Sequence, residues 1–271
     1  MTQANSKVKK KANPGWQGTV FLWEEHGLFV GNAGDAELHE SPAIKICISI
    51  DGGFRLRQSE AEKWEAFNAA IIPAGSSHAI NGGGNRMAMV LLAPEGRLGK
   101  SIFGLAKGDA IIPIEGDVRE RLRSGSFFNT AWTDGTDIDR KTGEIVALLK
   151  EHLAVDAQQE GIDPRVEQSI EWIRAGRENG ILVRDIAAEV DLSESRFSHL
   201  FSEHVRVPVR RYLLWLRLRD ALHLLASADS LTEAAHSAGF ADSSHLTRTF
   251  RTALGIAPSD LVRESRLISF L

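Results

Sequence analysis

Apolar and polar residues alternate in the first third of the chain, which is the pattern of β-strands. In Ala43–Ile50 the four isoleucines lie on one face, and Lys45, Cys47 and Ser49 lie on the other. The alternation resumes in Phe54–Arg57 after a turn that contains two glycines. The sequence leaves open which face of the Ala43–Ile50 strand points into the domain.

Other short apolar runs between glycine-containing turns predict four more strands, at Gly18–Trp23, Gly27–Val30, Ala69–Pro73 and Met87–Leu92. Many short strands joined by such turns are typical of a small sandwich or barrel. We therefore expect residues 16–95 to form a β domain.

The periodicity becomes helical further along the chain. Lys141–Leu153 predicts an amphipathic helix with Ile145, Leu148, Leu149 and His152 near one face, and we assign residues 96–160 to linker or dimerisation helices. Another helix is predicted to begin at Asp163-Pro164 and to end at Gly180. Residues 161–271 are expected to be all-helical.

Two segments of this helical region resemble each other. Ile186–Phe201 and Glu233–Phe250 align with Ala187 matching Ala235 and with Phe201 matching Phe250. The offset is about 49 residues, with one residue inserted in the second turn. An internal repeat of this kind indicates a duplicated structural unit.

Each copy has the pattern of a helix-turn-helix. A short helix is followed by a tight turn at Asp191 or Gly239, and Ser193 or Asp242 then caps a second helix. The second helices are predicted at 193–204 and 242–253, within units that span 182–204 and 231–253. Val207–Leu225 is predicted to be one long helix that joins them. Two units joined in this way could enter two major-groove segments on one face of DNA.

Composition and charge add weaker constraints. The chain has 271 residues, 43% of them hydrophobic and 25% charged, which suits a soluble protein of more than one domain. It contains no apolar run long enough to cross a membrane, and its single Cys47 excludes an internal disulfide. Residues 1–15 are predicted to be a disordered tail, and a cytoplasmic location is expected. The net charge of −4 gives no argument for nucleic acid, although all 14 cationic residues after residue 160 are arginines.

The helical region resembles the AraC/XylS family of bacterial transcription regulators over Asp163–Val262. The resemblance rests on Arg217, Leu218, Ala221, Leu231-Thr-Glu-Ala-Ala, Gly239-Phe240, Leu246, Phe250 and Gly255-Ile-Ala-Pro258. It implies a seven-helix DNA-binding domain with two helix-turn-helix units. It also places base-reading residues at Ser195, His199 and Arg248.

The N-terminal region is similar to the cupin domains often joined to such regulators. Pro73, Gly75 and His78 have the spacing of a second cupin motif, whereas only His39 and Glu40 stand where the first motif would be, and the chain contains no His-x-His. We therefore expect no metal and no cofactor. The candidate effector-binding residues are His39, Lys45, Cys47 and His78.

The predicted fold is thus an α+β multidomain protein, with an N-terminal cupin-like β-barrel (jelly roll) and a C-terminal all-α domain that carries two helix-turn-helix motifs. The predicted function is sequence-specific transcription regulation under the control of a small-molecule effector, with no enzymatic activity and no catalytic residue. The expected partners are double-stranded DNA, an effector, a second copy of the chain bound through residues 1–160, and RNA polymerase as a further candidate, with no membrane association.

The outward faces of the two second helices are predicted to contact DNA. Their residues are Ser195, Arg196, Ser198, His199 and Ser202 in the first, and Ser243, Ser244, Thr247, Arg248 and Arg251 in the second. Two alternatives stay open at this point. One is a cupin metalloenzyme with an appended DNA-binding domain, and the other is an architectural DNA binder with a degenerate sensor domain.

Overall fold

A computed structural model describes residues 15–102, 108–124, 135–153, 162–176, 180–227 and 230–270. Most of the predicted tail, residues 1–14, lies outside this part of the chain. Within the described ranges, no helix combines the length and the apolar character needed to cross a bilayer.

The N-terminal domain consists of two β-sheets and a layer of helices. Its strands are β1 (Gln17–Leu22), β2 (His26–Asn32), β3 (Asp35–Glu40), β4 (Ile44–Ser49), β5 (Phe54–Arg57), β6 (Glu65–Phe67), β7 (Ala69–Ile72), β8 (Ser77–Asn81), β9 (Arg86–Leu92) and β10 (Ile112–Pro113). Among the described residues they form a sheet of order β10-β7-β4-β9-β2-β1, which one later strand extends, and a smaller sheet of order β3-β8-β5-β6. All six predicted strands are present, with ends shifted by at most two residues.

Both faces of β4 are buried, which explains why its sequence left the orientation open. The isoleucines at 44, 46 and 48 belong to an apolar cluster with three helices on the outside of the large sheet. Lys45, Cys47 and Ser49 are also buried, and Cys47 packs with residues of both sheets in the domain interior. The polar face of β4 therefore points inward.

The three helices are α1 (Arg97–Ile102), α2 (Gly116–Ser124) and α3 (Gly135–His152). Helix α3 begins six residues before the predicted start, and Ile145 and Leu149 are buried in the same cluster as the β4 isoleucines. Its apolar face is therefore covered by its own chain and is not available for a dimer contact. Residues 96–153, as far as they are described, form a layer of the N-terminal domain rather than the linker or dimerisation helices expected for 96–160.

Seven helices follow within the described residues. They are α4 (Pro164–Ala175), α5 (Val183–Glu189), α6 (Glu194–Val205), α7 (Val209–Leu225), α8 (Leu231–Ser237), α9 (Ser243–Leu254) and α10 (Pro258–Val262). The side chain of Asp163 caps α4 as its position before Pro164 predicts, but the helix ends at Ala175 with Gly176 as its cap, not at Gly180. The amide of Gly176 donates to the carbonyl of Trp172, which closes the last turn early.

Two separate cores hold these helices. Apolar residues of α4, α5 and α6 cluster with Val209, Tyr212 and Leu216 at the start of α7. Residues of the later part of α7, of α8 and of α9 instead join the interior of the N-terminal domain in one continuous cluster. The second half of the helical region is thus packed directly on the β domain.

The chain returns to the β domain at its end, so the expectation of an all-helical C-terminal region is wrong for β11 (Ser265–Ser269). This strand pairs in parallel with β1 and becomes the edge of the large sheet. Leu267 packs towards the interior cluster and Ile268 packs towards the helix layer. The backbone groups along the outer side of β1 provide the hydrogen-bonding partners that favour strand over helix here.

Candidate DNA-reading helices and ligand pocket

The first helix pair consists of α5 and α6. The turn between them contains Asp191 at a φ of +54°, and the amide of Leu192 donates to the carbonyl of Ala187 at 2.9 Å. The hydroxyl of Ser193 then caps α6 by accepting from the amide of Arg196 at 3.3 Å. Phe197 and Phe201 are fully buried on the inner side of α6. The predicted turn and cap are both confirmed.

The outer side of α6 carries the predicted DNA-contacting residues. Ser195, Arg196 and His199 are exposed, whereas Ser198 and Ser202 are half-buried. The hydroxyl of Ser202 donates to the carbonyl of Ser198 at 2.8 Å, so its proton is engaged within the helix. Three of the five predicted residues therefore present side chains to solvent.

The second helix pair, α8 and α9, repeats this geometry. Gly239 adopts a φ of +75°, and the amide of Phe240 donates to the carbonyl of Ala235 at 2.9 Å. Asp242 caps α9 by accepting from the amide of His245 at 2.6 Å, a hydrogen bond that lowers the pKa of the carboxyl group. The same hydrogen bond therefore closes both turns, because Ala187 and Leu192 correspond to Ala235 and Phe240, and the inserted residue follows Phe240 before the cap at Asp242.

On the outer side of α9, Ser244, Arg248 and Arg251 are exposed, and Ser243 and Thr247 are half-buried. The hydroxyl of Thr247 donates to the carbonyl of Ser243 at 2.8 Å, as Ser202 does in the first pair. The exposed Thr252 follows on the same helix and was not predicted. Both helices therefore offer a polar outer face with at least one arginine.

Helix α9 also contacts the β domain at its C-terminal end. Gly255 caps the helix at a φ of +73°, and its carbonyl accepts from the amide of Glu37 at 2.9 Å. A β-carbon at this position would lie 2.5 Å from Nδ1 of His39. Only glycine allows this approach, because both the backbone angle and the space exclude a side chain.

Inside the β domain, three of the predicted effector residues meet. Nζ of Lys45 lies 2.6 Å from Nε2 of His39 and 2.9 Å from Nε2 of His78. The Nδ1 atoms of the two rings face the carbonyls of Glu37 and Ser76 at 2.7 and 2.9 Å. A carbonyl only accepts, so Nδ1 carries the proton in each ring and Nε2 accepts from Lys45.

Burial dominates the electrostatics of this cluster. It lowers the pKa of Lys45 to about 7 and raises the pKa of Cys47 to about 12. Burial, and then the charge of Lys45, hold the pKa of His39 and of His78 well below the usual range. At neutral pH the rings are neutral, the thiol is protonated, and Lys45 exchanges between its two charge states.

The donor set does not fit a metal ion. The described residues contain no group of three His, Cys, Asp or Glu side chains that could hold one. The Nε2 lone pairs that would bind a cation already accept hydrogen bonds from Lys45. The metalloenzyme alternative therefore lacks a metal site in this part of the chain.

Lys45 borders a cavity of about 100 Å³ between the β domain and the second helix pair. Its walls are mainly apolar and come from β1, β2 and β9 on one side and from α7, α9 and α10 on the other. The residues contributed by the helical side are Trp215, Arg219, Leu222, His223, Leu254, Ile256 and Leu261. Periodicity alone could not identify them, because they meet the cavity only through packing between distant segments. Cys47 is buried beside Lys45 but does not line this cavity.

The helices packed against the first pair, α4 and the start of α7, contact the β domain through polar side chains. The hydroxyl of Tyr212 donates to Oε1 of the buried Glu95 at 2.7 Å, and burial followed by this carboxylate raises the pKa of Tyr212 well above its usual value. Arg174 on α4 pairs with Glu25 at 3.0 Å, and Lys100 pairs with Glu167 at 2.6 Å. Polar contacts thus hold the first half of the helical region on the β domain, whereas apolar packing holds the second half.

Comparison with known proteins shows what the helical region is similar to. Residues 186–264 match a family model described as a helix-turn-helix domain. The transcriptional activator RhaS of Escherichia fergusonii is 35% identical over 123 residues, which cover 45% of this chain and 43% of that protein. RhaS of Klebsiella pneumoniae is 32% identical over the same length. The match spans less than half the length of these curated relatives.

Solved structures extend the likeness to the whole fold. Apo ToxT from Vibrio cholerae aligns with a TM-score of 0.62 and 13% identity, covering 87% of this chain and 96% of that chain. ToxT bound to an unsaturated fatty acid aligns with a TM-score of 0.56, covering 92% and 96%. At this identity the likeness concerns the fold alone, a strand-rich N-terminal domain followed by a helical one. Residues 186–264 are thus similar to a helix-turn-helix domain of the kind found in the RhaS activators, and the chain as a whole shares the fold of ToxT.

Proposed function

We propose that the protein is a sequence-specific DNA-binding transcription regulator controlled by a small apolar molecule in the cavity beside Lys45. The observation that carries this proposal is the shared wall of that cavity. The β domain contributes Val20, Leu22 and Lys45, and the second helix pair with its flanking helices contributes Leu254 and Ile256. A ligand between them would contact both parts, so its binding energy can favour one arrangement over another.

Both helix pairs are proposed to be helix-turn-helix motifs that read DNA. Support comes from their matched turns, their matched caps and the exposed polar faces of α6 and α9. Arg248 is suited to bidentate contact with guanine, and Arg251 to a phosphate one turn away. The two facing sheets also support a cupin-like barrel for the N-terminal domain.

The lining of the cavity indicates the chemical class of the effector. Most of the wall is apolar, whereas Lys45 from the β domain and Arg219 from α7 supply cationic groups. We therefore propose an apolar molecule with one acidic group, bound with the acid at Lys45. His39 and His78 would act as positioning residues for the Lys45 amine. The fatty acid in the ToxT structure belongs to this class of compound.

The small volume of the cavity limits which effectors can enter it. A volume near 100 Å³ is below that of a cavity known to hold benzene. An effector with a longer apolar chain would therefore enter only if the β domain and the second helix pair moved apart. Effector binding and domain movement would then be one event.

The proposal is tested with purified full-length protein. A DNA duplex is first selected from a random-sequence pool, and its affinity is measured with fatty acids of 8 to 16 carbons. Alcohols of the same lengths are the matched neutral ligands. We expect the acids to change DNA affinity and the alcohols to have little effect, with Lys45→Met weakening acid binding at least tenfold. Failure to enrich any duplex would contradict the DNA-binding role, and equal effects of acids and alcohols would contradict the role of Lys45.

A further inference from the structure

The chain end forms a strap between the two domains. Strand β11 pairs with Gly18–Leu22 of β1, and the amide of Phe270 donates to the carbonyl of Leu22 at 3.0 Å. The hydroxyl of Ser265 donates to the carbonyl of Trp16 at 2.9 Å. Hydrogen bonds therefore tie Ser265–Phe270 to the β domain along its length.

The same segment lies beside residues that line the cavity. The ring of Phe270 stacks on Trp23 with centroids 5.0 Å apart, and it lies 6.3 Å from Phe21. Nδ1 of His223 is 2.9 Å from the hydroxyl of Ser269. Trp23 and His223 both line the cavity, one from each domain. The strap thus spans the cavity wall at the junction of the domains.

The strap restricts how far the domains can move apart. Only Arg263 and Glu264 separate the end of α10 from the start of β11. A two-residue connector reaches roughly 10 Å at full extension, measured between the Cα atoms on either side of it. While β11 stays paired, α10 and the helix pair packed on it are held near β1. Widening of the cavity is limited in the same way.

The strap is an edge strand, which leaves the sheet at a lower cost than a central strand does. Every residue of β11 keeps part of its surface exposed, whereas every residue of β4 is buried. An edge strand with half-exposed side chains loses little apolar contact when it detaches. Local opening of the sheet is therefore expected at β11 before the central strands.

While β11 is paired with β1, DNA binding by the second helix pair is disfavoured. Arg248 borders a groove that also contains Glu40 of the β domain and Arg211 of α7. Glu40 forms an ion pair with Arg211 that neutralises its charge, so the obstacle beside the proposed reading face is the bulk of the β domain at Glu40 and Pro42. A DNA backbone that approached Arg248 would have to share this space with the β domain.

We propose that Ser265–Phe270 is a releasable latch. While paired with β1 it holds the second helix pair against the cavity, and its detachment frees that pair to take up its DNA-binding position. This inference rests on the proposed function, whose regulation it specifies. Anything that widens the cavity, such as a long apolar ligand, promotes release.

A reversible cross-link tests the latch. Thr19 and Arg266 are partners in the β1–β11 register and lie on a partly exposed side of the sheet. Neighbouring strands place Cα atoms within the range that a disulfide spans. The Thr19→Cys/Arg266→Cys variant should, when reduced, bind a duplex selected by the wild-type protein with wild-type affinity. When oxidised, it should bind at least tenfold more weakly. Each single cysteine variant, treated with the same oxidant, is the control.

A second variant needs no cross-link. Phe270→Ala should accelerate amide hydrogen exchange in 265–269 at least tenfold and tighten DNA binding in the absence of effector. Phe67→Ala, which removes a half-buried ring from the other sheet, is the matched control and should do neither. Equal DNA affinity of the oxidised and reduced cross-link variant would overturn the latch, as would faster exchange in Phe270→Ala with unchanged DNA affinity. If the wild-type protein selected no duplex, the proposed function itself would fail.

Discussion

Nζ of Lys45 lies 2.6 Å from Nε2 of His39, a contact that joins β4 to β3 across the interior of the β domain. Lys45 also reaches His78 on β8, so one amine is held by two imidazoles from the smaller sheet. A cation held between two Nε2 lone pairs resembles the arrangement of a metal site, with an ammonium group in place of the ion. Unlike a metal, this cation can lose its charge near neutral pH, which links the stability of the domain to pH.

Lys45→Met should reveal that link. The pKa of Lys45 is about 7 in the folded protein, below its ordinary value of 10.5. Between these pH values the unfolded chain binds one more proton, so the stability of the wild-type protein rises with pH. Relative to Lys45→Met, the free energy of unfolding should rise by about 1.4 kcal/mol per pH unit from pH 7 to 9. Urea denaturation at several pH values measures this slope.

The control for that experiment is Ile46→Met, one position further along β4. It removes no titratable group, so its effect on stability should be the same at each pH. The lowered pKa values of His39 and His78 act below pH 6.5 and therefore outside this window. Parallel pH profiles for wild type and Lys45→Met would show that the amine does not titrate there.

The two arginines of α9 should have different roles in DNA binding. Arg251→Ala should lower the slope of log K against log salt by about one, because one phosphate contact is lost. Arg248→Ala should mainly change sequence preference, with a loss of about 1–3 kcal/mol of discrimination at one base pair. Binding titrations at several salt concentrations measure both effects. Arg263→Ala, an exposed arginine outside α9, is the control, and wild-type behaviour of both α9 variants would show that this face does not meet DNA.

His199→Ala on α6 should relax sequence specificity in only one half of the binding site. His199 is exposed on the outer face of the first pair, and α9 is proposed to read the other half. Selection from a random-sequence pool with each variant measures the change position by position. His236→Ala, an exposed histidine on α8, should leave the selected sequence unchanged. Uniform weakening at all positions would mean that His199 contacts the backbone instead.

Tyr212→Phe should destabilise the docking of the first helix pair on the β domain. The substitution removes the hydroxyl that donates to Glu95 and leaves a buried carboxylate with one hydrogen bond fewer. A loss of about 1–3 kcal/mol is expected in chemical denaturation. The ring itself and its contact with Phe201 remain, so packing is preserved. An unchanged free energy of unfolding would show that water replaces the hydroxyl without cost.

A homodimer formed through residues 1–160 remains a prediction. In sedimentation experiments at micromolar concentration, the full chain should have twice the monomer mass of 29.7 kDa. The buried face of α3 cannot form the contact, so exposed surface of the β domain must do so. A monomer mass with and without fatty acid would contradict this prediction.

Much of the local structure could be predicted from the sequence. The two-residue alternation identified β4 and β5, and the repeat located both helix pairs with their caps at Ser193 and Asp242. These signals are local, because a cap or a buried face depends on residues within one or two turns of each other. The outward faces of α6 and α9 followed from the same periodicity.

The amino-acid sequence by itself determined six of the strands, both helix pairs and the turns at Asp191 and Gly239. Only the tertiary structure decided that the polar face of β4 points inward, since a strand buried on both sides has no single apolar face. The tertiary structure also decided that Lys45 meets His39 and His78, that the helical region completes the cavity wall, and that Ser265–Ser269 joins β1. Each of these contacts joins residues far apart in the chain, and their energy comes from burial and pairing that appear only when the domains pack together.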